Sequence, residues 1–372
     1  MGRKLHIAML GTRGIPASYS GFETCVEQLG ARLVQRGHRV TVYCRSHHIT
    51  WRERTYQGME LVRLPTIPSK HFDTIAHTFL SCLHASFRRY DVALMFIVGN
   101  SLVSFIPRLT GKKVILNVDG LDWKRAKWGA FARRYIQFAE RLATVLPHAI
   151  ITDSRSIERY YQERYGAAST YITYGAEVGR REPGEHLARY LLEPRRYVLF
   201  VGRLVPENCA HHLVAAFAGL DTELKCVIVG DAPYAEGYIA ELKAQAGPNV
   251  VFTGYLFGEG YQELSSHAYA FVETSEVGGT HPALLEAMAF GNCVVVNDTP
   301  ENLETIGEAG LSYAGSEGAS ALRQVLERLL AHPELASDYR ERAAARVREH
   351  YTWDKIADQY EALCYRTLGW TS

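Results

Sequence analysis

At 372 residues, with 47% hydrophobic and 22% charged side chains, the chain has the make-up of a globular protein of two domains rather than one. A formal net charge of +1 excludes a global pull toward nucleic acid, so an anionic partner must be met by a local patch. Seven scattered cysteines (Cys25, Cys44, Cys82, Cys209, Cys226, Cys293 and Cys364) form no C-x-x-C pair and read as reduced core residues of a cytosolic protein.

Short apolar runs alternate with longer amphipathic segments from the first residues onward. The run 5–10 is too short for a signal sequence and leads into a glycine turn. Strands are expected over 5–10, 40–43, 60–64, 92–98, 113–118 and 149–152, and helices over 21–35, 73–88 and 124–146. Such alternation builds βαβ units and a parallel sheet. The 92–98 run falls far short of a membrane span. A charged stretch over 179–196, with Pro183 and Pro194 and no strand pattern, marks a join.

The pattern then restarts, with strands over 197–201, 225–229, 250–253, 268–272 and 293–296. Helices near 210–218, 238–245, 261–266 and 286–290 separate them, and 320–330 and 333–350 are helical. Thr352 caps a last helix with Ile356, Tyr360, Leu363 and Cys364 on one face. The expected fold is α/β: two Rossmann-like, doubly wound parallel-sheet domains, 1–182 and 183–350, facing a cleft, with 351–372 packing back on the first. Open α/β sheets bind ligands outside the carboxyl ends of their strands, and both sets of ends would face that cleft.

Several loops at those ends carry chemistry. After the 268–272 strand comes SEVGGTHPALLEAMAFG, 275–291. Pro282 suits the first turn of a helix, so free backbone amides there face a turn made by Gly278, Gly279 and Thr280. That is an anion site, with the carboxylate of Glu286 one turn further on. After 197–201, Arg203 would project a guanidinium able to hold a phosphate bidentately, or pair at the surface with Glu207. Gly230 and Tyr255 follow the next strands, the tyrosine suited to stacking on a base or packing in its loop.

The first strand ends in GTRGIPASYSGFET, with Gly11, Arg13 and Gly14. Its G-x-x-G spacing, and Cys44-Arg45 where a ribose-binding acid would stand, disfavour dinucleotide binding. Asp119 and Asp122 bracket Gly120 after the 113–118 strand; a carboxylate there can orient a sugar hydroxyl, although Asp122 equally suits a helix cap. The stretch from Trp123 to Arg134 interleaves aromatic and basic residues, which fits an anionic membrane surface or a solvated face with buried tryptophans. The pairs His47-His48 and His211-His212 are expected to diverge, and no H-E-x-x-H or DxD pattern occurs, so no catalytic metal is expected.

The two-domain pattern, GRLVPEN after a strand and the 275–291 motif resemble family 4 glycosyltransferases of the GT-B fold over nearly the whole chain. GTRGIPASYSGFET, NVDGLDWKRAKW and EVGGTHPALLEAM more narrowly resemble bacterial β-1,4-rhamnosyltransferases of capsule and polysaccharide synthesis, which take dTDP-rhamnose. The resemblance implies that Glu286 binds the ribose of the donor and Arg203 its diphosphate. Gly279 and Thr280 grip phosphate and donor sugar, and Gly14 lies near the phosphates. Gly230, Tyr255 and Gly278 complete the donor set, and Arg13, Asp119 and Asp122 the acceptor side; Arg203, Asp119 and Glu286 are the catalytic candidates.

The chain departs from the family in three places. Gly278 stands where a glutamate is usual, eight residues before Glu286, and Asn208 where a lysine is usual, five after Arg203; Asp119 replaces the usual histidine. The donor sugar is then held by backbone groups, and more weight falls on Arg203. The implied activity is transfer of L-rhamnose from dTDP-rhamnose to a lipid-linked saccharide. It proceeds with retention and domain closure, without metal or cofactor, in the cytoplasm at the inner face of the membrane. A UDP- or GDP-hexose transferase, a nucleotide-sugar epimerase or hydrolase, and a non-catalytic component of a polysaccharide assembly complex are the alternatives.

Overall fold

The computed structural model describes residues 3–17, 21–67, 69, 72–125 and 128–370. It divides into two compact units: Met1–Gly175 with Trp353–Ser372, and Ala176–Thr352. The sequence pattern places the join at 182/183; the chain leaves the first unit at Gly175, before the charged stretch, and returns at Trp353. Residues 18–20 of the opening motif and 126–127 of the basic-aromatic stretch lie outside the described residues.

The first unit runs β1 His6–Leu10, α1 Gly21–Gln35, β2 Arg39–Arg45, β3 Thr55–Tyr56, β4 Met59–Leu64, α2 Asp73–Ser86, β5 Val92–Phe96 and α3 Phe105–Leu109. It continues with β6 Lys113–Asn117, α4 Ala130–Ala143, β7 Ala149–Thr152, α5 Arg155–Tyr165 and β8 Thr170–Tyr171. The sheet order is β3-β4-β2-β1-β5-β6-β7-β8, parallel except for the β3–β4 hairpin. Central strands such as VALMF of β5 are buried at every residue, as a sheet covered on both faces requires.

The second unit runs α6 Glu185–Arg189, β9 Tyr197–Val201, α7 Ala210–Ala218, β10 Lys225–Val229, α8 Glu236–Gln245, β11 Val250–Gly254 and α9 Gly258–His267. There follow β12 Ala270–Glu273, α10 Pro282–Ala289, β13 Cys293–Asn297, α11 Pro300–Ile306, β14 Leu311–Tyr313, α12 Ala319–Ala331 and α13 Pro333–His350. Its six strands are all parallel in the order β11-β10-β9-β12-β13-β14. All seven cysteines are free and buried.

The last helix, α14 Trp353–Leu368, packs on the first unit through both kinds of contact its amphipathic pattern offers. Tyr360 is buried, and its hydroxyl accepts from Asn117 Nδ2 at the end of β6 (2.9 Å). On the wetter side Glu361 takes Arg36 (2.9 Å) and the buried His38 (2.8 Å), so its carboxyl lies below the usual range although burial opposes this. Tyr360→Phe leaves the Asn117 amide buried without that partner. The expected loss is about 1–3 kcal/mol of unfolding free energy, read by urea denaturation, with no change in the far-UV spectrum.

Candidate functional site

In a doubly wound sheet the loops part where the strand order reverses, which opens a crevice at the carboxyl edge. In the second unit that point lies between β9 and β12. Arg203 follows β9, and the Gly278–Thr280 turn with the α10 helix follows β12. Two of the strongest sequence candidates therefore flank the same gap.

Polar side chains underneath hold both loops. Asn208 Nδ2 donates to the carbonyl of Arg203 (3.0 Å), closing the 203–208 loop on itself. Thr274 Oγ1 donates to the Asn208 carbonyl (2.5 Å), and Asn297 Nδ2 from the end of β13 donates to the Thr274 carbonyl (3.0 Å). The buried carboxylate of Glu273, last residue of β12, accepts from the backbone N–H (3.0 Å) and hydroxyl (2.6 Å) of Ser275. The backbone N–H of Glu276 reaches the Glu207 carbonyl (3.0 Å). Asn208, read from sequence as a lost positive charge, is thus a brace for the loop that carries Arg203.

Gly230 ends β10 with φ +147°, and a Cβ there would lie 1.8 Å from the Gly202 carbonyl oxygen. Only a bare backbone lets these two strand ends meet. Tyr255, past β11, is stacked on Phe257 with ring centroids 5.7 Å apart and planes 18° apart. Gly279 and Thr280 are buried. At Gly278 a Cβ would sit 2.5 Å from His281 Cε1 and 2.8 Å from its Nε2, so the imidazole occupies the space a side chain at 278 would enter. His281 is the N-cap residue of α10 but makes no capping hydrogen bond. No sequence argument singled out this histidine; its place over a glycine three residues earlier appears only in the folded turn.

Glu286 is half-buried on α10, and Tyr261 Oη on α9 donates to its Oε2 at 2.5 Å. Burial raises the Glu286 carboxyl above the usual range, and the tyrosine hydrogen bond opposes that rise. Burial and the neighbouring charge carry Tyr261 well above a normal phenol, so it remains a donor. Tyr261 was visible in the sequence only as part of a helix.

In the first unit the candidates are spread over two loops. Gly14, after β1, is buried with φ +111°, and a Cβ there would meet Cys44 Sγ at 2.5 Å; its lack of a side chain serves packing against β2. The Arg13 backbone N–H donates to the buried Glu23 carboxylate on α1 (3.0 Å), and its carbonyl accepts from Arg45 (2.9 Å). Asp119 follows β6 with φ +60°; its N–H is held by Asn117 Oδ1 (3.1 Å), and its Oδ1 accepts from Tyr174 Oη (3.3 Å). Asp122 is engaged locally, by Arg125 Nε on one oxygen (2.8 Å) and Trp128 Nε1 on the other (3.0 Å). Trp123 and Trp128 pack against the first unit's core, so the exposed aromatic side chain in that stretch is Phe131.

The histidine pairs do not diverge as expected. His47 and His48 lie with ring centroids 4.0 Å apart beside Asp73, and His211 and His212 lie 4.6 Å apart beside Cys209. Adjacent side chains meet here because each pair sits in a turn or at a helix start, outside regular strand or mid-helix geometry. Asp73 already pairs with the buried Arg45 at 2.5 Å.

Residues 186–346 match the model of glycosyl transferases group 1, and residues 4–177 match a domain of unknown function, DUF1972. Alpha-D-kanosaminyltransferase of Streptomyces kanamyceticus is 28% identical over 222 residues, which take in 57% of this chain and 55% of that protein. The chain thus matches just over half the length of that curated relative. Sucrose-phosphate synthase from Thermosynechococcus elongatus superposes with a TM-score of 0.83 at 23% identity, over 98% of this chain and 99% of its own. Anabaena HepE, solved with UDP and glucose, superposes with a TM-score of 0.80 at 15% identity, over 97% and 100%.

The architecture is that of the GT-B glycosyltransferases, with two Rossmann-like parallel-sheet domains. Within that fold, the match to glycosyl transferases group 1 falls wholly inside the second unit.

Glu286→Gln separates stability from binding. Burial raises the folded-state pKa, so ionising Glu286 costs the fold stability as pH rises past the unfolded-state value of about 4.3. Glutamine removes that cost. The expected Tm at pH 7 equals or exceeds that of the natural chain, and the difference shrinks as pH falls through the carboxylate range. A lower Tm at pH 7 contradicts the assignment.

Proposed function

We propose that this protein is a retaining glycosyltransferase that moves L-rhamnose from dTDP-rhamnose to a lipid-linked saccharide, without a metal. The observation that carries the reading is the pairing of Arg203 with the Gly278–Thr280 turn and α10 on either side of the β9/β12 gap. A guanidinium on one side and a helix N-terminus on the other make a receptor for a diphosphate. The match of residues 186–346 to glycosyl transferases group 1 supports a nucleotide-sugar donor. The donor set in the second unit is Arg203, Gly230, Tyr255, Gly278, Gly279, Thr280 and Glu286.

Each group has a chemical part. Glu286, held by Tyr261, accepts hydrogen bonds from the ribose hydroxyls. Arg203 and the amides near Pro282 stabilise the diphosphate as its charge grows in the transition state. The acceptor hydroxyl bonds to the anomeric carbon on the face from which the diphosphate leaves. The C–O bond to phosphate breaks with its electron pair going to the diphosphate, and a phosphate oxygen takes the acceptor proton. Asp119 orients the acceptor, with Arg13 a second acceptor-side group; Asp122 shapes the loop through Arg125 and Trp128. His281, lying over Gly278, is the side chain that faces the donor sugar in place of a residue at 278. The lipid part of the acceptor implies contact with a membrane surface through 123–134, where Phe131, Arg133 and Arg134 are exposed. No helix among the described residues is long and apolar enough to cross a membrane.

Two measurements test this. Arg203→Ala lowers kcat about 10- to 100-fold, the worth of a charge-assisted hydrogen bond to a developing charge, while EDTA leaves the natural enzyme unchanged. Near-normal turnover by the variant removes Arg203 from the mechanism, and inhibition by EDTA reversed by added metal overturns the metal-free route.

A thermal-shift series with dTDP-, UDP- and GDP-sugars settles the donor, since a ligand at about 100 times its Kd adds about 2.7 kcal/mol. The largest shift is expected with dTDP-rhamnose. A shift with UDP-glucose alone replaces it by the hexose reading that HepE with UDP and glucose favours.

A further inference from the structure

Exposed apolar side chains are normal on a protein surface when scattered singly. In the first unit, apart from Trp51, Ile67 and Phe72, they fall into three stripes on adjoining helical segments. Along α4 and just past its end, Phe131, Phe138 and Val145 recur every seventh residue, with Phe131 88% exposed. Leu102, Phe105 and Leu109 line one side of α3 and the turn before it, with Leu109 78% exposed. Phe79, Leu83 and Phe87 do the same along α2 and just past its end, with Phe87 83% exposed. Each set keeps one helical face, two turns or more long.

Hydrogen bonds join the three segments into one surface. Ser86 Oγ at the end of α2 donates to the Ile106 carbonyl of α3 (3.5 Å), and Lys112 Nζ donates to the Ser86 carbonyl (2.9 Å). Arg108 Nη1 on α3 reaches the carbonyls of Val145 (3.2 Å) and Leu146 (2.8 Å) beyond α4. Tyr135 Oη on α4 donates to the Gly99 carbonyl in the turn before α3 (2.8 Å).

The charges of these segments are of one sign where they meet solvent. Arg88, Arg89, Arg108, Arg133, Arg134 and Arg141 are exposed. The two acids look inward: Asp73 pairs with Arg45 (2.5 Å), and the buried Glu140 accepts from Tyr160 (3.0 Å) and Tyr165 (2.9 Å). A protein partner with an acidic rim would satisfy the arginines but needs a shaped apolar pocket for each ring. A bilayer of anionic lipid satisfies both at once, taking the rings among its acyl chains and the guanidiniums at its phosphates.

We infer that the face formed by α2, α3 and α4 of the first unit is a membrane-docking surface for anionic lipid, with Phe131, Phe138, Leu109 and Phe87 inserted and the six arginines at headgroup level. This deepens the lipid-linked acceptor reading, yet the surface itself is independent of donor chemistry. The tryptophans are not the anchors, since Trp123 and Trp128 are partly buried and pack against the core.

The test is co-sedimentation of the full chain with vesicles of phosphatidylglycerol and phosphatidylcholine mixed in equal parts, and with phosphatidylcholine alone. Binding is expected to the mixed vesicles and to be at least about tenfold weaker to the neutral ones. Phe131→Ser with Phe138→Ser lowers partitioning about tenfold or more at constant charge. Arg133→Gln with Arg134→Gln lowers it about fivefold per arginine. Tyr234→Ala, at an exposed ring of the second unit, leaves it unchanged.

Unaltered melting curves show that the variants are folded. A natural chain that stays in the supernatant overturns the proposal, as does equal binding by the phenylalanine variant. A dimer that the phenylalanine substitutions dissociate, without vesicle binding, assigns the face to a second copy instead. Turnover on a water-soluble acceptor fragment is measured in parallel: its loss with vesicle binding intact indicts the transferase reading, and the reverse result indicts the surface.

Discussion

The second unit depends on the small lattice of hydrogen bonds beneath its two ligand-side loops. Thr274 reaches the Asn208 carbonyl, Asn297 reaches the Thr274 carbonyl, and Asn208 reaches the Arg203 carbonyl. Parallel strands end with carbonyls that the ladder no longer satisfies, and in a buried edge each must find a donor. Here the donors come from side chains just past β12 and at the end of β13, and from Asn208 within the loop after β9. The same bonds that repair the sheet edge therefore hold the loop bearing Arg203 and the start of the loop leading to α10 at a fixed spacing. Glu273 completes the lattice by fixing Ser275 from below.

That frame carries one half-buried carboxylate and two positions where a neighbouring or substituted side chain takes up the space. Glu286 loses water and gains Tyr261, so it is a carboxylate in a site that resists its charge, with one hydroxyl donor in place. At the other end of the turn, the glycine at 278 leaves a space that the His281 ring fills, so polarity is not lost with the missing side chain but moved to another residue. Loss of a lysine at 208 has a similar account, since the asparagine there contributes a brace.

The first unit spends its acids on architecture. Glu23 holds the loop after β1, Asp122 holds Arg125 and Trp128, and Glu140 serves two tyrosines inside. What remains at the surface of α2, α3 and α4 is arginine and large apolar side chains. An interior that consumes its carboxylates leaves an outer face with a net positive charge, although the whole chain is nearly neutral.

Much was legible in the residues alone. The apolar runs of β5, β9 and β13 could only be covered strands, because helices of such length would bury too little. The turn from Gly278 to Pro282 announced a helix start because proline and glycine have few other uses in that order. Glu273 also left a trace, as an acid closing an apolar strand. Tyr261 left none: it meets Glu286 from 25 positions away, a distance local periodicity does not span.

The same limit explains the tryptophans, whose side of the chain depends on which core lies beneath, and the histidine pairs, which meet because turns break regular spacing. Sequence by itself determined which residues could form strands, helices and a glycine-proline turn, since those depend on neighbours a few positions away. Only tertiary structure decided which side chains face each other, which carboxylates are consumed, and which aromatic rings are left outside, since those depend on burial against elements far along the chain.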